Sequence, residues 1–521
     1  FRSRFIKDVI KESLLFINQL EETKEIRQIL NIEKYEESFP IARNINRQFK
    51  LIVGPTNSGK TFEALETLKN ASSGVYLAPL RLLAMEVFDK LNQSGIPCNL
   101  HTGEEHIDMP GAKHTASTIE MLDTKNIVDV AVIDEAQMLA DVDRGWAWTA
   151  ALTGVPAKQV FAIGSKDIEF QLINLLKYLN EEYQITYIER KTPLKIDKVV
   201  KFDKVMNNDV IVTFSRKNVL FFADKLEHIG FSTAMIYGAL SPEVRRTQIE
   251  NFSSGITNCL VATDAIGMGI NIPARRVIFS DIEKYDGYSM RLLTKSEIKQ
   301  IAGRAGRFGI HDIGFVSAFN ATDLAYIKEC LSSENDIIKE KLMISPSFWH
   351  VNQLSNILET QNIIKILSYF SKVLPVNHHL FKTSKLKQMK SVANFVENII
   401  PTESLENKFT FSSVPCNIEI HNESSYFKEL LLAKINNKPI SLFNLPDWIN
   451  NNNSYNKLYE AENLNKCLTM YCYLQYKFPE IYKTPTKKLN EYRNKLSIYI
   501  NIALLEHNKK QNYDINEYLY E

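Results

Sequence analysis

What is scarce in this 521-residue sequence narrows the field first. Six cysteines, Cys98, Cys259, Cys330, Cys416, Cys467 and Cys472, are scattered along it with no paired CxxC modules of zinc-binding spacing. That argues against a zinc-built fold and predicts reduced, buried thiols. No apolar run approaches the roughly 20 residues that a bilayer-spanning helix needs, so membrane insertion is not expected. Neither sign of charge is in excess: 62 Lys and Arg against 61 Asp and Glu leave a formal charge of +1. A polyanionic partner would have to be met by a local basic track, because bulk charge offers no attraction. No internal repeat of solenoid length is visible, and the GxGxxG spacing of a dinucleotide loop is missing.

What is present is ordinary core material, 45% hydrophobic residues, enough over this length for roughly three or four domains of about 150 residues each. Residues 1–48 are polar and helix-prone, with apolar positions at helical spacing, and read as an N-terminal helical extension. From 49 to 193 short β-rich runs (49–53, 74–78, 130–134, 160–163) alternate with amphipathic stretches, the rhythm of a parallel α/β unit. After a connector containing Lys191-Thr-Pro193, the rhythm repeats over 194–355, with strands expected at 210–214, 259–263, 277–279 and 314–318. Residues 356–521 carry Leu, Ile and Tyr at three-to-four spacing and are expected to form an all-α domain. The expected fold is α/β: two tandem RecA-like domains of parallel sheet flanked by helices, between the N-terminal extension and the helical C-terminal domain. The asparagine run 450–453 reads as a solvated loop.

The sharpest signal is Gly54, Pro55, Thr56, Asn57, Ser58, Gly59, Lys60 and Thr61, a GxxxxGKT phosphate loop between an expected strand and an expected helix. In such a loop backbone N–H groups close around phosphate oxygens at a helix N-terminus. Lys60 reaches the β and γ oxygens, and Thr61 ligates Mg²⁺. Asp134-Glu135-Ala136-Gln137 follows the apolar strand that should aim it at this loop. Asp134 is the expected Mg²⁺ ligand, with Thr61, and Glu135 the group that orients and activates water at the γ-phosphate. ATP and Mg²⁺ are therefore the expected cofactors.

A phosphate loop alone does not separate a kinase or GTPase from a motor. The discriminating motif is Gln300-Ile-Ala-Gly-Arg304-Ala-Gly-Arg307 in the second α/β unit. Arg304 and Arg307, three apart, project from one helix face and can act as fingers on the γ-phosphate from across a cleft. Gln300 can contact phosphate or the water. Thr263-Asp264-Ala-Ile-Gly267-Met-Gly269 follows another strand, and its glycines allow close backbone approach. These parts predict an ATP-driven motor that must close to hydrolyse.

At this point the chain resembles superfamily 2 RNA helicases, and among them the mitochondrial RNA degradosome helicase family. Gly54–Thr61 looks like motif I, Ala78-Pro-Leu-Arg81 like Ia, Thr102-Gly103-Glu104 like the next element, Asp134–Gln137 like II, and Gln300–Arg307 like VI. Arg144-Gly-Trp146-Ala-Trp148-Thr149 and Tyr237-Gly-Ala-Leu-Ser-Pro242 are similar to that family's own signatures. The resemblance covers about residues 46–320 strongly and the helical C-terminus more loosely. It implies an ATP-dependent RNA helicase, an ATP hydrolase of the mitochondrial matrix. Such an enzyme translocates 3′ to 5′ on a single strand, unwinds duplexes with a 3′ overhang and feeds RNA to a 3′ exoribonuclease. By the same likeness Pro79, Arg81, Thr102, Gly103, Thr118, Thr213, Ser215, Arg216 and Thr263 match positions that contact the sugar-phosphate backbone, and Gly267 lies at the nucleotide. Residues 276–295 are long enough for a duplex-wedging hairpin. Two departures stand out: Ala136 replaces the family's usual isoleucine, and Gly164-Ser165-Lys166 stands where many helicases carry Ser-Ala-Thr. A DNA or hybrid helicase and an ATP-regulated RNA-clamping scaffold are the alternatives. For each hydroxyl the competing role is a helix cap or turn. For the tryptophans it is core packing of at least one, and for the basic run from Lys382 to Lys390 a solvated face.

Overall fold

A computed structural model describes residues 26, 29, 32–267, 272–285, 289–306, 310–372, 380–384, 386–450 and 457–510. Most of the N-terminal extension, Gly269, Arg307, Lys385 and Asn451 to Asn453 lie outside the described residues.

Eight strands make the first sheet: β1 (Gln48–Val53), β2 (Gly74–Ala78), β3 (Cys98–His101), β4 (His106–Ile107), β5 (His114–Thr118), β6 (Val128–Ile133), β7 (Ala157–Gly164) and β8 (Glu182–Tyr187). Their order is β4-β3-β5-β2-β6-β7-β1-β8. Every pairing is parallel except β3 with β4. The central strands are covered on both faces, so Leu51, Ile52 and Val53 are all buried and the sequence runs apolar without alternating. The second sheet takes β9 (Leu194–Ile196), β10 (Asp209–Val212), β11 (Thr233–Ile236), β12 (Cys259–Ala262) and β13 (Arg276–Phe279). An antiparallel hairpin of β14 (Glu283–Tyr285) and β15 (Met290–Leu292) intervenes before β16 (Gly314–Ala318) completes it. Its order is β11-β12-β10-β13-β16-β9, all parallel. Two parallel sheets flanked by helices are the expected two RecA-like units, and their strands' carboxyl ends are where ligands bind in such folds.

Local chemistry starts the helices that matter. Helix α1 (Lys60–Asn70) begins at Gly59, which takes the left-handed φ of +86° that glycine adopts without penalty. Helix α2 (Arg81–Gln93) follows β2, and α3 (Gly145–Gly154) follows the Asp134 turn. Ser215 caps α4 (Arg216–His228), accepting from the Asn218 amide at 3.0 Å. Ser241 caps α5 (Pro242–Ser253), with Pro242 at the first turn. Helix α6 (Lys295–Ala302) opens on a reciprocal Thr294–Glu297 capping box.

The C-terminal region is helical apart from one short strand, Phe381–Thr383 (β18), which pairs in parallel with Leu342–Ile344 (β17) of the preceding segment. The residues after β16 pack against both domains. Leu342, Ile344, Val351, Leu354, Ile366 and Phe370 share a core with Trp148 and Leu152 of the first domain. Phe427, Tyr471, Leu496 and Tyr499 instead share one with Val219, Met235 and Val244 of the second. Two long helices, α7 (Leu458–Lys477) and α8 (Thr486–Lys510), belong to that latter group. Three-residue strands carry no readable period, and an amphipathic helix declares that one face is buried without declaring against what. Among the described residues no helix is long and apolar enough to cross a membrane.

Candidate functional site

The phosphate loop leaves β1 at Gly54, whose amide donates to the Gly164 carbonyl of β7 at 3.1 Å. Asn57 and Gly59 both take positive φ, 64° and 86°, which bends the loop tightly between β1 and α1. Ser58 is buried there. The Lys60 ammonium donates to the carbonyls of Gly54 (2.5 Å) and Pro55 (2.8 Å). Burial pulls its pKa down, opposed by Glu135 and Asp134.

The carboxylates stand at the end of β6. Asp134 is held from three sides: Tyr76 donates its hydroxyl to Oδ2 at 2.7 Å, the Glu135 amide donates to Oδ1 at 2.8 Å, and the Thr61 hydroxyl lies 3.4 Å from Oδ2. Burial, reinforced by the neighbouring Glu135 charge, raises the Asp134 carboxyl to about 6. Trp148 is completely buried in α3 and donates its indole N–H to the Asp134 carbonyl at 2.9 Å. That settles its role as core, while Trp146 is half-buried. Glu135 sits at φ 49° and accepts a hydrogen bond from the Gln137 amide nitrogen. Ala136 is buried, and a side chain at Gly164 would meet its Cβ at 3.3 Å.

The second domain supplies the remaining wall. Arg304 is buried, with Nη2 3.9 Å from Glu135 Oε1 and donating to the Gly267 carbonyl. Burial lowers its pKa against the pull of Glu135 and Asp134. Gln300 packs on Gly267, since a Cβ there would lie 3.6 Å from its side chain. A further link crosses the boundary through Gly164-Ser165-Lys166. The Ser165 amide donates to Gln137 Oε1 at 3.3 Å, the Ser165 hydroxyl bonds Asp167, and Ser296 of α6 donates to the other Asp167 oxygen at 2.7 Å. The phosphate loop, Tyr76, Asp134, Glu135 and Arg304 together line one cavity of about 420 Å³. Tyr76, Asp167 and Ser296 carry no motif that marks them in the sequence. Nothing local marks a strand tyrosine or a helix serine as a partner of residues 58 and 129 positions away.

The residues expected along a nucleic-acid track make intramolecular bonds. Arg81 is buried and pairs with Glu104 (2.5 Å), Glu105 (2.7 Å) and, across the domains, Glu243 of α5 (2.7 Å). Arg493 of α8 joins the cluster through Glu105 at 2.6 Å. Arg216 pairs at 3.1 Å with Glu462 of α7, which also accepts from Tyr237 at 2.5 Å. Thr102 closes a turn by accepting from the Glu105 amide at 3.0 Å, Ser215 is the α4 cap, and Thr263 accepts from the Ala265 amide at 3.3 Å. Pro79 is buried and its carbonyl accepts from Arg144 at 2.7 Å. A side chain on Gly103 would enter open space. Thr118 is half-buried at the end of β5, and Thr213 is fully buried with no partner for its hydroxyl. The six cysteines are free and buried. The described residues hold no cluster of His, Cys, Asp or Glu able to bind a metal by themselves.

A phosphate loop and paired carboxylates on one RecA-like sheet, faced by an arginine turn from a second, define a two-domain helicase-type ATPase. Comparison with known proteins narrows this. The family model described as the DEXQ-box helicase domain of Suv3 matches residues 35–188, and the helicase conserved C-terminal domain matches 168–309. The chain is 36% identical over 444 residues to the mitochondrial DExH-box ATP-dependent RNA helicase DExH16 of Arabidopsis thaliana, covering 84% of this chain and 77% of that one. It is 35% identical over 455 residues to the mitochondrial ATP-dependent RNA helicase SUV3 of Oryza sativa subsp. japonica, covering 85% and 77%. Against the Caenorhabditis elegans SUV3 homolog it is 35% identical over 476 residues, covering 89% of this chain and 65% of that longer protein. The chain belongs to the Suv3 family of mitochondrial ATP-dependent RNA helicases, which are ATP-hydrolysing enzymes.

Proposed function

We propose that this chain hydrolyses ATP at the split site to translocate 3′ to 5′ along a single RNA strand, unwinding duplexes that carry a 3′ overhang. In the mitochondrial matrix it would pass the strand to a 3′ exoribonuclease. The observation that carries the reading is Arg304 standing 3.9 Å from Glu135 across the domain boundary: charge from one domain meets the water-orienting group of the other. Amides of Thr56 to Gly59 cradle the phosphates, and Lys60 exchanges the Gly54 and Pro55 carbonyls for β and γ oxygens. Glu135, steadied by Gln137, orients the attacking water and accepts its proton. Arg304, with Arg307 beyond the described residues and Gln300, stabilises charge on the transferring phosphoryl group.

The Thr61 hydroxyl and Asp134 carboxylate, 3.4 Å apart, suit Mg²⁺, a hard cation that takes one or two protein oxygens and completes its shell with phosphate and water. When bound it neutralises charge on the β and γ oxygens. Backbone contact through Pro79, Arg81, Thr102, Gly103, Thr118, Thr213, Ser215, Arg216 and Thr263 would be largely independent of sequence. Arg81 and Arg216 would give up carboxylate partners for RNA phosphates. The test is strand displacement on matched RNA and DNA duplexes with 3′ or 5′ overhangs, with and without ATP. ATP-dependent opening of the 3′-overhang RNA duplex is expected. Opening confined to 5′ overhangs would contradict the polarity, and opening confined to DNA the substrate.

A further inference from the structure

Arg190 lies on the connector between the two sheets, outside every motif described above, yet its guanidinium is surrounded by main-chain carbonyls from both halves of the site. Nε donates to Thr192 O at 2.6 Å. Nη1 donates to Gly303 O at 2.7 Å and to Thr56 O at 3.1 Å, and Nη2 donates to Ala305 O with a longer contact to Gly306 O at 3.4 Å. Thr56 belongs to the phosphate loop; Gly303, Ala305 and Gly306 are the turn that carries Arg304. That turn is also pressed onto the connector. Gly306 takes φ +74°, and a Cβ there would lie 2.8 Å from Thr192 Cγ2 and 2.6 Å from Gly314.

We infer that Arg190 is a positioning residue for ATP hydrolysis, a pin that travels with the arginine turn and engages the phosphate loop only when the domains close. The bond inventory carries this assignment. All but one of the carbonyls belong to the connector or the second domain, so they survive opening, and the Thr56 bond alone spans the cleft. A planar guanidinium holds five N–H donors in a rigid fork, against three rotatable ones on an ammonium at the end of a flexible stem, so it suits this set of carbonyls. The bonds are spent on the backbone to either side of Arg304, so they fix where its side chain points without touching nucleotide. The inference rests on the role given to Arg304 above.

The experiment compares the parent with Arg190→Ala, Arg190→Lys and Arg304→Ala, measuring RNA-stimulated ATP hydrolysis together with the stoichiometry and affinity of fluorescent ADP binding. Arg190→Ala is expected to lower kcat about 100-fold, the cost of roughly 1 Å of misplacement. Near-full ADP stoichiometry should be retained, and Arg190→Lys should recover about tenfold of the loss. The assignment is overturned if Arg190→Ala hydrolyses within about threefold of the parent. It is equally overturned if ADP stoichiometry falls in step with kcat, which is what a merely structural role produces. The Arg304→Ala arm reads the underlying assignment separately, since a parental rate there defeats the arginine-finger role whatever Arg190 does.

Discussion

Gly303 is where the first domain's phosphate loop meets the second domain's arginine turn. A methyl group there would lie 2.7 Å from Thr56 Cβ and 2.9 Å from the Lys299 carbonyl. Unstrained carbon atoms stay about 3.5–4.0 Å apart, so in Gly303→Ala closure stops about 1 Å short. Arg304 is the next residue, and its 3.9 Å approach to Glu135 opens by the same amount. Misplacement on that scale costs about 100-fold, or about 2.7 kcal/mol of barrier. Gly303→Ala is therefore expected to lower RNA-stimulated kcat about 100-fold while ADP affinity stays within about threefold, because the phosphate-binding groups lie in the other domain. Adding Thr56→Gly removes the opposing Cβ and Cγ2 and is expected to restore about tenfold, the Lys299 contact remaining. Steady-state hydrolysis and ADP titration of the parent, both single variants and the double variant decide the matter. A parental rate in Gly303→Ala refutes the reasoning, and so does a slowed rate indifferent to Thr56→Gly.

Two further outcomes concern carboxylates held by hydrogen bonds. Tyr76→Phe removes the hydroxyl that donates to Asp134, a charge-assisted bond worth about 1.5–3 kcal/mol. ATP hydrolysis should slow about tenfold and require more Mg²⁺, and an unchanged Mg²⁺ titration would contradict this. Burial alone would raise the Glu297 carboxyl, but bonds from Arg291, Lys284 and the Thr294 amide hold it near 2, below its ordinary 4.5. A carboxyl depressed in the folded state stabilises the fold above its unfolded value and loses that contribution as pH falls through its folded value. At pH 7 this amounts to about 3 kcal/mol. Glu297→Gln should thus cost up to about 3 kcal/mol in urea unfolding at pH 7, a gap that narrows below about pH 4.5 and closes near pH 2. A gap that persists unchanged in acid would contradict it.

The parts of the site legible in the sequence are those whose chemistry is local. Gly54 to Thr61 and Asp134-Glu135 each follow an apolar strand, and spacing along the chain fixes spacing in the fold. Arg304 was legible because its turn repeats glycine around arginine. Arg190, Tyr76 and Asp167 were not, because each acts through partners brought near only by packing: Arg190 and Thr56 are 134 residues apart, and Asp167 and Ser296 are 129. Arg81 shows the opposite limit. Its motif suggested a phosphate contact, but three carboxylates from two distant segments, Glu104-Glu105 and Glu243, occupy it here, and no window of sequence reveals such a cluster. The helical C-terminus was legible as helix from its periodicity, whereas its division between two cores depends on which apolar stripes meet. Leu342–Ile344, at three residues, was too short to show strand alternation.

Neither sheet alone completes the active site. Single-turnover ATP hydrolysis by Arg304→Ala in saturating RNA, with ADP binding as the control for the phosphate loop, tests it most directly. The split site predicts a fall of about 10³-fold or more with ADP bound as in the parent; hydrolysis at the parental rate would contradict it.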